Sequence, residues 1–143
     1  MEVTNQVYPT EPGQIEELMK PGPEGPIVMV NLLKFRDKAE YPDGRETELS
    51  GREAYAIYGE AVERLVEDHG GRILFGGDVT HLTIGLAEEL WDEVALVEYP
   101  NRGALVAMSM SEAYQEIGIH REAGLAGQLN IETVYSGMIG NRI

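Results

Sequence analysis

The sequence predicts a single α+β domain, with one antiparallel sheet and its two main helices on one face. Three observations predict it. From residue 27 to residue 135 the hydrophobic patterns run strand, helix, strand, strand, helix, strand. Both helices carry capping signals. The strands are too uniformly apolar for one face of the sheet to meet water. This is the split βαβ order of the ferredoxin-like fold. Residues 1–26 precede it as an arm with a short helix, and residues 136–143 follow it as a tail.

Each element has its own signal. Pro9, Pro12, Pro21, Pro23 and Pro26 leave the arm room only for a short helix over "EPGQIEELMK", with Thr10 as its N-cap. "IVMVNLLKFR" is the first strand, aliphatic throughout except at Asn31. A polar loop with the turn signal "PDG" leads to "SGREAYAIYGEAVERLVEDHGG", where Ser50 and Glu53 have capping-box spacing and Gly70 suits a left-handed stop. Its apolar stripe is Ala54, Ile57, Ala61 and Leu65, flanked by Tyr58, Val62 and Val66. "RILFGGDVTHLTIG" reads as a strand bulged at Gly76 and Gly77, with His81 in its second half. The acidic "LAEELWDE" connects it to the strand "VALVEY". Asn101 caps the helix "RGALVAMSM", Ser109 and Glu112 have the spacing of a second capping box, and Gly118 is the expected stop. "GQLNIETVYS" is the last strand.

Composition excludes several classes of function. Eleven basic against 25 acidic residues give a net charge of -14, which repels nucleic-acid phosphates and anionic lipid surfaces. With no cysteine there is no disulfide, no thiolate nucleophile and no cysteine-held zinc or iron–sulfur centre. The run "PIVMVNLL" is too short for a membrane span, and the start "MEVTNQVYPTEPG" lacks the features of an export signal. A cytoplasmic location fits. No phosphate loop, dinucleotide fingerprint or Ser–His–Asp order is present, so no cofactor is implied.

The stretches "HGGRILFGGD", "WDEVALVEYPNRGALVAMSMSEAYQEI" and "HREAGLAGQ" together resemble the domain of unknown function 1330 family, within the dimeric α+β barrel superfamily. The resemblance spans roughly residues 27 to 135. It implies a homodimer whose two sheets face each other as a barrel, and its superfamily includes cofactor-free monooxygenases, muconolactone isomerase and haem-binding chlorite dismutases, many with a small-molecule pocket between sheet and helices. The uncovered apolar sheet face calls for a second protomer on its own account.

A few residues carry the candidate chemistry. An unpaired amide at Asn31 would cost about 1–3 kcal/mol, so it either bonds to a neighbouring loop or across the dimer, or points into a pocket. Tyr58 adjoins the helix stripe with a hydroxyl that needs a partner. His69 suits a helix C-terminus, whereas His81 is the candidate general base. No pair of histidines has metal-ligand spacing. His120 and Arg121 stand side by side, either as an anion-binding pair or with Arg121 tied by Glu112, Glu116, Glu122 or Glu132. Glu88–Glu89 and Asp92–Glu93 read as solvated connector charges. The expected function is binding of a small, partly apolar metabolite by a homodimer, with cofactor-free proton transfer or oxidation as its chemistry. The alternative is a structural dimer with a sealed core.

Overall fold

A computed structural model describes residues 8–137. Its elements are α1 (Pro12–Leu18), β1 (Ile27–Phe35), α2 (Gly51–Asp68), β2 (Arg72–Asp78), β3 (Glu93–Tyr99), α3 (Arg102–Ser109), α4 (Glu112–Gly124) and β4 (Leu125–Thr133). The sheet order is β2-β3-β1-β4 with every pair antiparallel. After the arm this is the ferredoxin-like arrangement, with the second helical segment divided into α3 and α4.

Local chemistry explains where the elements start. Ser50 accepts from the Glu53 amide at 3.0 Å while Glu53 accepts from the Ser50 amide at 2.8 Å, so the capping box forms. Gly70 ends the segment at φ 84°, the left-handed stop. Asn101 takes the Ala104 amide at 2.9 Å and caps α3. In the arm, Glu11 rather than Thr10 is the N-cap. Gln14 reaches back to the amides of both, at 2.9 Å and 3.1 Å.

Four expectations are corrected. The cap of α4 is Ser111, not Ser109, which closes α3 instead. Gly118 does not stop the helix, because α4 runs on to Gly124 and only there turns directly into β4. Strand β2 ends at Asp78, and its register shift falls between Ile73 and Phe75, with Gly76 and Gly77 regularly paired to Ala95 and Val94. The buried line of α2 is Ala54, Tyr58, Val62 and Val66, four apart throughout, while Ile57 is exposed.

The core lies between sheet and helices. Ile27, Met29 and Tyr99 of the sheet meet Tyr58, Val62 and Val66 of α2 and Met108 of α3. A second cluster forms on the outer side of the helices, where Ala39 and Tyr41 of the 36–50 loop pack on Ala54 and Ala123. Helices α2 and α4 approach closely through glycine. A Cβ at Gly124 would lie 2.4 Å from the Gly51 carbonyl oxygen, and one at Gly51 would lie 2.1 Å from that of Arg36. By strand register, the opposite face of the sheet carries Val30, Leu32, Leu96, Leu129, Ile131 and Phe75. No described element covers it, and Phe75 is 54% exposed. No described helix is long and apolar enough to cross a membrane.

Candidate functional site

A cavity of about 590 Å³ opens between the sheet and the helices. Its position follows from the strand pleat. Met29, Asn31 and Leu33 of β1 face the helices, so their partners Val97, Ala95 and Glu93 on β3, and Glu132, Asn130 and Gln128 on β4, face the same way. Two glycines inside helices, Gly59 and Gly118, line the opposite wall. A Cβ at Gly59 would meet nothing within 4 Å, and one at Gly118 only the Tyr114 ring at 3.8 Å.

One corner of the cavity is polar. Arg121 donates through Nη2 to Gln128 Oε1 at 2.6 Å, and Gln128 Nε2 donates to Asn31 Oδ1 at 2.8 Å. Asn31 Nδ2 in turn faces the carbonyls of Met29 and Ala95, each at 3.3 Å. The strand amide is thus held by backbone and by a side-chain relay that fixes its orientation. Tyrosines form the apolar wall. Tyr58 and Tyr114 share a hydrogen bond of 3.2 Å with their rings edge to face, and Tyr55 packs between Phe35 and Tyr58, 5.3 Å from each ring centre. Burial first, and neighbouring tyrosines second, push the Tyr58 hydroxyl well above its ordinary range, so it stays a neutral phenol.

Asn31, Tyr58 and Arg121 therefore border one space, and His120 does not. Residues 120 and 121 occupy the last turns of α4 and face opposite ways. His120 Nδ1 lies 2.7 Å from the Tyr41 hydroxyl on the outer side, where Arg45 stacks on the Tyr41 ring at 4.7 Å. Burial, and then the Arg45 charge, lower the His120 pKa. Arg121 is tied to the last strand through the Gln128 amide. Of the carboxylates nominated for it, Glu132 accepts both forks of Arg102, at 2.6 Å and 2.8 Å, and Glu122 accepts from Tyr8 at 3.0 Å. His81 is exposed in the loop after β2 and lies off the cavity, so the strand position that made it a candidate base is corrected. His69 sits at the C-cap of α2 as expected, its Nδ1 2.8 Å from the Leu65 carbonyl.

Two further parts of the site escape a reading by sequence pattern. Glu93 belongs to β3 rather than to the acidic connector, and its half-buried carboxylate borders the cavity. Burial, then the Asp78 charge, raise its pKa, and Arg52 opposes them. Its neighbour Asp92 points elsewhere, accepting the Phe35 amide at 2.8 Å and pairing with Lys34. The arm supplies the second part, with Tyr8, Pro9, Ile15 and Leu18 lining the mouth on the β4 side. Arg102 holds the arm by donating to the Glu17 carbonyl at 2.7 Å and to its carboxylate at 2.9 Å. Among the described residues no group of three or more histidines, aspartates and glutamates is placed to hold a metal ion.

Comparison with known proteins agrees with this architecture. Residues 45–133 match the family model described as Domain of unknown function (DUF1330). The RPA0582 protein of unknown function from Rhodopseudomonas palustris is 34% identical, superposes with a TM-score of 0.79, and the match covers 91% of this chain and 96% of that one. The methylated RPA0582 protein is 36% identical with a TM-score of 0.81, covering 94% and 98%. A dimeric ferredoxin-like protein of unknown function from Thermobifida fusca is more distant, at 12% identity and a TM-score of 0.48 over 82% of this chain and 96% of that one. No curated protein matches the chain. On the family match and on its likeness to RPA0582, the chain belongs to the DUF1330 family.

Proposed function

We propose that the protein is a homodimer that binds a small, partly apolar molecule in the cavity between its sheet and its helices. The observation that carries this reading is a tyrosine-walled space of about 590 Å³ with one polar corner, Arg121–Gln128–Asn31. That volume and that mixture of surfaces suit a single-ring ligand with one polar end. The apolar body would lie along Tyr55, Tyr58 and Met29, and the polar end, a carboxylate or carbonyl, would meet the corner. The dimer is supported by the uncovered apolar face around Leu32, Leu96 and Ile131, an area that a second copy with the same face would bury. A closed structural core has less support, because helix glycines leave the space open where alanine would fit.

A thermal-shift screen of small phenols, lactones and keto acids tests the site. The parent is expected to gain stability with at least one of these classes, and Asn31→Leu to lose that response. A response unchanged in Asn31→Leu would place binding elsewhere. Light scattering at micromolar concentration is expected to give twice the chain mass of 15.8 kDa. A monomer would remove the dimer.

A further inference from the structure

Most polar groups around the cavity already have partners in the chain: Asn31 and Gln128 have each other, and Tyr58 has Tyr114. Tyr55 and Tyr99 present hydroxyls that make no hydrogen bond among the described residues, and Tyr55 shares its stretch of wall with the carboxylate of Glu93. The Tyr55 ring is fixed by Phe35 and Tyr58. Among the described residues Glu93 pairs with Arg52 at 3.9 Å, beyond hydrogen-bond reach. Arg52 is itself committed to Asp78 at 2.8 Å and to the face of the Phe35 ring. Tyr55 and Glu93 both border the cavity, and the Phe35 ring on which Tyr55 packs, 5.3 Å between ring centres, also carries the Arg52 guanidinium that lies 3.9 Å from Glu93. A phenol with no hydrogen bond in the described residues and a carboxylate held only by a long ion pair, both bordering one cavity, complement a ligand that accepts a hydrogen bond beside an acidic proton.

We propose that Tyr55 and Glu93 are a proton-transfer pair acting on a small ketone or 2-oxo acid. The assignment rests on the cavity being the ligand site. Burial keeps Tyr55 protonated, so it donates rather than accepts. The raised basicity of Glu93 brings a carboxylate nearer to the strength a general base needs at neutral pH. A Glu93 oxygen takes a proton from the carbon next to the ligand carbonyl. The C–H electron pair becomes the new C=C bond, and the carbonyl π pair moves to the oxygen, which the Tyr55 O–H stabilises. The protonated Glu93 exchanges its proton with solvent and then delivers one back, to the same carbon as hydrogen exchange or, in a β,γ-unsaturated ketone, to the far end of the allylic system as a double-bond shift. Nothing is oxidised or reduced, and no co-reactant is consumed.

The test is hydrogen exchange in D2O with acetophenone, phenylpyruvate and cyclohex-3-enone, followed by proton NMR, with thermal shift on the same samples. The parent is expected to exchange the α-proton of at least one probe faster than buffer. Glu93→Gln should lower that rate about 100-fold or more, and Tyr55→Phe about 10-fold or more, with ligand stabilisation retained in both. Glu93→Asp keeps the carboxylate one methylene short and should retain a measurable fraction, which guards against a folding defect in the amide variant. Exchange at the parent rate in Glu93→Gln overturns the assignment. Probes that stabilise the parent without exchange in any of the three also overturn it, while leaving the binding reading in place. Probes that neither stabilise nor exchange remove both.

Discussion

Helices α2 and α4 each carry a glycine at their close contact and a glycine on the cavity wall, and the two pairs do opposite things. Gly51 and Gly124 are required by contact, since a methyl group on either would run into backbone at 2.1 Å and 2.4 Å. Gly59 and Gly118 face the cavity, where a methyl group has room. Glycine inside a helix costs about 1 kcal/mol relative to alanine. At the contact, that loss is offset by close packing. At the cavity nothing offsets it, and what the chain retains there is volume. The outer side of the helix pair is filled with small side chains and its polar tips are matched, Tyr41 to His120. The inner side is left open, with the Tyr55 hydroxyl free of hydrogen bonds among the described residues and Glu93 held only by its long ion pair to Arg52.

The contrast is most easily broken at the contact. Gly124→Ala is expected to destabilise the fold by about 3 kcal/mol, because the obstructing atoms are backbone and the helices must separate. A urea titration measures it, and a loss under about 1 kcal/mol would show that the contact is not tight. Gly59→Ala should act in the opposite sense, raising stability by about 1 kcal/mol while weakening the thermal response to ligand. A destabilised Gly59→Ala would mean that the position is packed after all.

The smallest expected effect concerns Glu93. Its folded pKa is raised, so the carboxyl favours folding below the ordinary carboxylate range, and that contribution is lost as pH rises through the folded value. Glu93→Gln should therefore melt about 1–3 °C above the parent at pH 8, with the difference vanishing near pH 4. The groups that face Glu93 from neighbouring elements are Asp78 on β2 and Arg52 and Tyr55 on α2, and Arg52 limits the size of the shift. A parent that melts higher at both pH values would reverse the sign and place Glu93 as a net stabilising partner of Arg52.

Sequence patterns reached the elements whose signals are local. Ser50 with Glu53, Asn101 and Gly70 each act within four residues, and each forms as its spacing predicts. Gly118 misled because a left-handed glycine stop needs positive φ, and Gly118 has none. Asn31 was legible as a polar residue in an apolar strand. Glu93 was hidden by its place at the end of an acidic run, where only the pleat separates it from Asp92. Arg102 was illegible for a different reason. Its carboxylate partners lie 85 residues before it and 30 after it, and no spacing rule joins positions that meet only when the arm folds against the end of β4.

The register shift in β2 bears on how that edge of the sheet would receive an added strand. As the outermost strand beside β3, β2 has one side free of ladder partners, which is the usual point of entry for an added strand. Its register slips between Ile73 and Phe75, two glycines follow, and charged Arg72 and Asp78 stand at its ends. An incoming strand therefore meets a short, bent template, and the row of parallel amides that fibril growth requires is interrupted at its start. The segment that lends Ile73 and Gly76 to the cavity wall thus also makes this edge of the sheet a poor template for an added strand.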